Sequence, residues 1–269
     1  MLRGKSALVT GSSQGIGLAA ARAMLVAGAR VILTSERPLS VCPEVATTLA
    51  EFPEASYVPH DLTCGDDAPE ELVAQAWELG GGLDILVNNL GTFREPAFLD
   101  LTRDDFDFVF GLNVWVAIAM TQAVVRRAEA VGRGGRILFT TSLNGTRSEP
   151  GHTLYDASKG AIDSLTRQLA VELAPRGFTT AAIAPGLVET GLTDYGLRSD
   201  PAARAAVEGQ IPLGRIATPA DLAGWFVFLA SDAARYATGV VIPVDGGLNA
   251  QQMPVRPVTS AERVGPRPQ

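Results

Sequence analysis

The sequence predicts an α/β fold in which short strands alternate with helices, and three observations carry that expectation. Apolar, β-branched runs of four to six residues recur between stretches with helical spacing. The first such run leads directly into a glycine-rich turn and a helix-forming segment. Residues with chemically useful side chains stand just past the ends of the runs, where a parallel sheet opens toward a ligand. With 46% hydrophobic residues, the 269-residue chain has material for a sizeable core.

Residues 5–10 form the first predicted strand, followed by Gly11-Ser12-Ser13-Gln14-Gly15-Ile16-Gly17 and helix formers over 18–27. Glycines let the backbone turn tightly and let a phosphate approach the positive amino end of the next helix. The second strand, 30–34, ends at Ser35, Glu36 and Arg37, where a dinucleotide fold meets the adenosine ribose. An acidic side chain there suits ribose hydroxyls and a basic one a 2′-phosphate, so Glu36 and Arg37 pull in opposite directions; they also fit a solvated loop pair. A helix follows over 38–52, a third strand over 56–59 ending at His60-Asp61-Leu62, and a helix over 67–79. The fourth strand, 83–87, closes with Asn88-Asn89-Leu90-Gly91, whose amides are suited to tying down neighbouring backbone.

A single long helix is expected over 104–130 with Asn113 in mid-run, its amide needing a partner that local backbone could supply. The fifth strand, 136–141, follows Gly134 and Gly135 and leaves Ser142 at its tip. A helix over 155–174 stops at Pro175 and Gly177. Residues 179–184 give the sixth strand, ending in Pro185-Gly186-Leu187-Val188-Glu189-Thr190, and 240–244 the seventh. Residues 191–216, polar, glycine-dotted and weakly helical, read as a mobile flap over a site, and 251–269 as a poorly ordered tail behind a single domain of 1–250. No repeat or internal linker interrupts that domain.

Tyr155 and Lys159, four residues apart, share a helix face. A nearby ammonium favours the phenolate of a tyrosine whose ordinary pKa is about 10. Such a tyrosine can exchange a proton with a carbonyl or alcohol oxygen, and Ser142 can hydrogen-bond the same oxygen. The pattern is short and equally describes a packing tyrosine beside a solvated lysine.

A net charge of −7 without a long basic run argues against nucleic-acid or anionic-membrane surfaces and for small-molecule chemistry. Two cysteines, Cys42 and Cys64, give neither a disulfide framework nor a zinc spacing and are expected as free thiols. The start runs straight into a strand without a signal peptide, and no apolar run reaches about 18 residues, so a soluble cytoplasmic protein is expected.

Taken together, TGxxxGxG at 10–17, Asn88-Asn89-Leu90-Gly91, Asn113, Ser142 thirteen residues before Tyr155, the YxxxK pair and the Pro185-Gly186 element with Thr190 resemble the short-chain dehydrogenase/reductase family over residues 5–248. The resemblance implies a Rossmann-like, doubly wound parallel sheet of seven strands with helices on both faces, a three-layer sandwich that binds NAD or NADP. It implies an oxidoreductase interconverting a secondary alcohol and a ketone by hydride transfer. Tyr155 would be the acid/base, Lys159 would lower its pKa and hold the nicotinamide ribose, Ser142 would orient the substrate oxygen, and Asn113 would anchor a water in a proton relay. Cofactor contacts are expected from Gly11, Ser13, Gln14, Gly15, Ile16, Gly17, Ser35, Glu36 and Arg37. Asp61 and Leu62 would meet adenine, Asn89 and Gly91 the adenosine side, and Pro185, Gly186, Val188 and Thr190 the nicotinamide end.

Ser142, Leu143, Asn144, His152, Tyr155, Leu187, Leu192 and Tyr195 are the expected substrate wall, although His152 also fits a surface loop. Members of the family are usually homotetramers built through the two long helices. Leu90 departs from the family's alanine, and the second-strand tip matches neither cofactor pattern. A 3-oxoacyl-(acyl-carrier-protein) reductase-like enzyme and a non-catalytic nucleotide sensor remain as alternatives. Enoyl reductases of related fold space tyrosine and lysine more widely than YxxxK.

Overall fold

The computed structural model describes residues 1–94, 96–191 and 199–252. Its centre is a seven-stranded sheet in the order β3-β2-β1-β4-β5-β6-β7, parallel throughout. The strands are β1 (Ser6–Val9), β2 (Arg30–Ser35), β3 (Ala55–Pro59), β4 (Ile85–Asn88), β5 (Gly135–Thr140), β6 (Phe178–Pro185) and β7 (Val240–Val244). The helices are α1 (Gly15–Val26), α2 (Pro43–Glu51), α3 (Ala68–Gly80), α4 (Arg103–Phe110), α5 (Val116–Ala130), α6 (Thr153–Leu173), α7 (Pro201–Glu208) and α8 (Pro219–Ala230).

Alternate residues of each buried strand point to opposite faces, and each face has its own core. Ala7, Val9, Val31 and Leu33 pack with Leu18 and Met24 of α1, Val45 of α2, and Leu222 and Phe226 of α8. Leu8, Ile32, Leu86 and Phe139 pack with Leu72 of α3, Met120 of α5 and Ile162 of α6. This is the expected three-layer, doubly wound architecture. Strand order reverses between β1 and β4, so a crevice opens at the carboxyl ends of those strands.

Three features differ from the sequence expectation. The predicted helix over 104–130 is interrupted by one π-helical stretch, Gly111–Trp115, which shifts the α4 and α5 faces relative to each other. The whole segment Arg103–Ala130, with mean hydropathy 1.8 over 18 residues, is by length and composition long and apolar enough to cross a membrane, although no such run was expected. Half of that window is buried within the protein, and Met120, Val124 and Ala128 lie in the second core, so packing on the sheet accounts for its apolar face. Finally, α8 was not anticipated. Part of the expected flap is helical, as α7, capped by Asp200, whose side chain accepts from the amides of Ala202 and Ala203. Of the expected tail, residues 253–269 lie outside the described residues.

Candidate active site

The tips of β1, β4 and β5 are fastened by one asparagine. Asn89 Nδ2 donates to the carbonyls of Thr10 and Gly11, both at 3.1 Å, and its Oδ1 accepts from Thr140 Oγ1 at 3.0 Å. Thr10 Oγ1 in turn accepts from the amides of Asn89 and Leu90. The side-chain amide of Asn89 therefore serves the scaffold. Gly11 and Gly15 take left-handed conformations, φ 60° and 59°, that other residues rarely adopt. Gly17 is required for a different reason: a Cβ there would collide with the Gly11 carbonyl and the Asn89 amide.

This turn delivers the chain into α1 with no side-chain cap at Gln14 and no acidic residue in the first turn. The first amides of α1 are left for an anion supplied by a ligand, as a dinucleotide's diphosphate would do. They border a cavity of about 260 Å³ lined by Gly11, Ser13, Gln14, Gly15 and Ile16 at one end and by Pro185, Gly186, Val188 and Thr190 at the other. Ser35, Glu36, Arg37, Asn89, Gly91, Tyr155 and Lys159 complete that wall. Gly17 lies beneath the turn rather than on the cavity surface.

Asp61 and Leu62 line a second cavity, which shares Gly11, Ser35, Glu36, Leu90 and Gly91 with the first. Asp61 Oδ1 accepts from the amide and hydroxyl of Thr63, which hold its carboxyl below the usual range. At the β2 tip the Ser35 hydroxyl pairs with Tyr57 at 2.8 Å, while Arg37 reaches toward Gln14 Oε1 at 3.5 Å and Val41 O at 3.3 Å.

Ser142 leaves β5 in extended conformation, and its Oγ accepts from the Asn144 amide at 3.2 Å. Lys159 is 4% exposed; its Nζ donates to the Thr140 carbonyl at 3.0 Å and lies 5.5 Å from the centre of the Tyr155 ring. Asn113 sits in the π turn, and long-range rather than local groups satisfy it. Its Oδ1 accepts from the Thr92 amide at 2.7 Å, and its Nδ2 donates to the Thr92 carbonyl and to Ser158 Oγ, each at 2.9 Å. Ser158 Oγ donates onward to the Tyr155 carbonyl at 2.7 Å. Gly91 adjoins both groups: a Cβ there would sit in ordinary contact with Lys159 Nζ at 3.4 Å and Asn113 Oδ1 at 3.5 Å.

The charge balance differs from the sequence expectation. Tyr155 is half-buried as a residue, but its phenol lies deep, and burial raises its pKa; a hydrogen bond with Ser142 pulls down, and the carboxylates of Asp156 and Glu149 push up further. Burial pushes Lys159 down to about 8, with Asp163 opposing it. Desolvation is thus the leading effect at both the phenol and the lysine in the protein alone.

Beyond Ser142 and Tyr155 a third cavity of about 650 Å³ opens, lined by the expected Leu143, Asn144, His152 and Leu187. Its remaining wall was not foreseen: Phe93, Val207, Ile211 and Leu248 from distant segments, and Arg147, Ser148 and Glu149 from the loop before α6. The chemistry-bearing loop 144–152 was legible as a stretch between Ser142 and Tyr155; the apolar residues become neighbours only in three dimensions. Leu192 and Tyr195 lie outside the described residues. Ser142, Tyr155 and Gly186 line both this cavity and the one beside α1, so the two meet at the serine and tyrosine.

Comparison with known proteins agrees with this geometry. A family model described as enoyl-(acyl carrier protein) reductase matches residues 11–249. L-rhamnose 1-dehydrogenase (NAD(P)(+)) of Azotobacter vinelandii is 38% identical over 92% of this chain and 98% of its own length. A 3-oxoacyl-[acyl-carrier-protein] reductase of Aquifex aeolicus is 36% identical over 92% of this chain and 98% of its own. The crystal structure of an Agrobacterium tumefaciens protein with bound NADP superposes with a TM-score of 0.84 at 35% identity, covering 93% of this chain and 98% of that one. With its parallel sheet, glycine turn and Ser142-Tyr155-Lys159 arrangement, the chain belongs to the short-chain dehydrogenase/reductase family.

Proposed function

We propose that the protein is an NAD(P)-dependent oxidoreductase that interconverts a secondary alcohol and a ketone, with Tyr155 as the general acid/base. The observation that carries this reading is the convergence of Ser142 and Tyr155 on the junction between the cleft at α1 and the larger cavity. The residues fit NAD or NADP: the amino end of α1 and Gly11–Ile16 would hold the diphosphate, Ser35–Arg37 the adenosine ribose, Asp61 and Leu62 the adenine, and Pro185, Gly186, Val188 and Thr190 the nicotinamide end. When bound, the nicotinamide gives or takes the hydride.

In the reducing direction the Tyr155 phenol gives its proton to the carbonyl oxygen while the Ser142 hydroxyl hydrogen-bonds that oxygen. In the oxidising direction the same phenol oxygen takes the alcohol proton. Lys159, fixed by the Thr140 carbonyl, stabilises the phenolate formed when the proton leaves. Asn113 braces this arrangement from the π turn through Ser158 and the Thr92 backbone, and in our reading its carbonyl also anchors a water that returns the proton through Lys159.

Residues 1–250 act as one domain of a cytoplasmic homotetramer. Trp115, Phe106 and Val171 on α4 to α6 are exposed at 55%, 38% and 74%, an apolar surface suited to subunit contacts. Replacing Tyr155→Phe is expected to lower kcat about a thousandfold while parallel fluorescence titrations with NADH and NADPH still show binding. Full turnover by that variant, or failure of the wild type to bind either nucleotide, overturns the reading.

A further inference from the structure

The lining of the larger cavity is of two kinds. Phe93, Leu187, Val207 and Ile211 are apolar. The residues running outward from Ser142 form a hydrogen-bonded chain. Asn144 Nδ2 donates to Asp156 Oδ1 at 2.7 Å and lies 3.4 Å from His152 Nδ1; the Glu149 amide donates to Asp156 Oδ2 at 3.1 Å; and His152 Nδ1 is 3.2 Å from Glu149 Oε2.

The consequence is that the donors of the Asn144 side chain and the Glu149 backbone face inward to the protein. The Asn144 side-chain amide and the Glu149 N–H are directed at Asp156 and His152. The Glu149 carboxylate borders the cavity, its side chain 62% exposed, with acceptor capacity well beyond one contact. Among the described residues the arginine on this wall is Arg147; its Nε and Nη2 are held by Asn249 Oδ1 and O at 2.6 and 2.9 Å, and its single positive charge stands against the two carboxylates of Glu149 and Asp156. A ligand carboxylate entering here would meet two carboxylates, Glu149 with Asp156 behind it, against the one arginine. A neutral ligand that brings several O–H donors would find acceptors here and, for its C–H groups, aromatic and aliphatic side chains in the same cavity.

We propose that residues 144–152 form a hydroxyl-recognising wall in which Glu149 is the specificity-determining residue, so that the substrate is a neutral polyhydroxylated compound, a sugar or polyol, rather than an aldonate or a carrier-linked acyl ketone. The proposal rests on the oxidoreductase reading above and assigns the substrate class of that same site.

The test compares kcat/KM for sorbitol and L-rhamnose, for D-gluconate as an anion matched to sorbitol in size, for cyclohexanol as a secondary alcohol without further hydroxyls, and for a 3-oxoacyl thioester in the reducing direction. The wild type is expected to favour sorbitol or L-rhamnose over each of the other probes by at least about tenfold, the scale of one charge-assisted hydrogen bond. In Glu149→Gln, the neutral-to-anion ratio is expected to fall about tenfold. Thermal protection of the cofactor complex by sorbitol should weaken in parallel, a binding readout independent of turnover.

Preference for gluconate or the thioester, cyclohexanol turned over as well as the polyols, or ratios unmoved by Glu149→Gln would overturn the substrate assignment while leaving the oxidoreductase reading standing. Absence of turnover on every probe together with absence of nucleotide binding would overturn both.

Discussion

Replacing Lys159→Met is expected to stabilise the cofactor-free protein while abolishing turnover. The lysine is 4% exposed, and burial brings its pKa down to about 8. Relative to an ordinary lysine near 10.4, at about 1.4 kcal/mol per pH unit, holding the charge in the folded chain costs about 3 kcal/mol. At pH below 8 the folded and unfolded lysines are both protonated, and the folded state bears this cost in full. Between 8 and about 10.4 the folded lysine loses its proton first, and the cost declines to nothing.

Methionine has similar length and no charge, but it leaves the Thr140 carbonyl without the 3.0 Å bond from Nζ, a loss of about 1 kcal/mol. The expected net gain is about 2 kcal/mol at pH 6.5, or roughly 5 °C in Tm for a chain of this size. Thermal and urea unfolding of both proteins at pH 6.5, 8 and 9.5 would read it, and the gap should shrink as pH rises. A variant less stable than the wild type at pH 6.5, or a gap that widens with pH, would refute the claim that desolvation dominates at Lys159. The expected outcome is a trade between activity and stability located at one side chain.

Two further outcomes follow from packing. In Gly17→Ala the new Cβ would meet the Gly11 carbonyl and would sit 2.5 Å from Asn89 Nδ2, both part of the bracket that shapes the glycine turn. Nucleotide affinity in a fluorescence titration should fall by at least about tenfold, with about 2 kcal/mol lost in urea unfolding; unchanged affinity would mean the turn does not hold the cofactor. Light scattering should return the mass of four chains, and a monomer would leave the exposed Trp115 and Val171 surface without the role assigned to it.

The parts of the fold that were legible are those in which one local signal suffices. A buried parallel strand is an apolar β-branched run, so all seven strands were readable to within a residue or two. Helix α8 hides because it is apolar nearly all round: Leu222 and Phe226 are buried while Trp225 and Phe228 are each 38% exposed, which leaves little periodicity to detect. Its start carries a signal nonetheless, Thr218-Pro219-Ala220-Asp221, in which Asp221 reaches back to the Thr218 amide at 2.7 Å. The π turn at Asn113 is a change in backbone hydrogen bonding within a run that is apolar on both sides of it, so no residue type marks it. The strand-tip residues of the cofactor cleft were readable because their position follows from strand ends. The far wall of the substrate cavity was not, because Phe93, Val207 and Leu248 meet only after β6 and β7 pair and α7 folds over.

The electrostatics of Tyr155 tie the substrate wall to the chemistry. Glu149 and Asp156, the carboxylates of the acceptor-rich side, also raise the Tyr155 pKa, adding to burial and opposing the Ser142 hydrogen bond. The features that suit the cavity to hydroxyl groups therefore keep the phenol protonated, which is the form that donates a proton to a carbonyl. Oxidation needs the other form, and the cation placed to favour it, Lys159, loses its own proton more readily because it is buried. A ligand hydroxyl that hydrogen-bonds Glu149 would partly satisfy its charge, and so ease the penalty on phenolate when substrate is present. On this view recognition and proton transfer are coupled through a shared carboxylate, and a substrate without that hydroxyl meets an acid/base biased toward reduction.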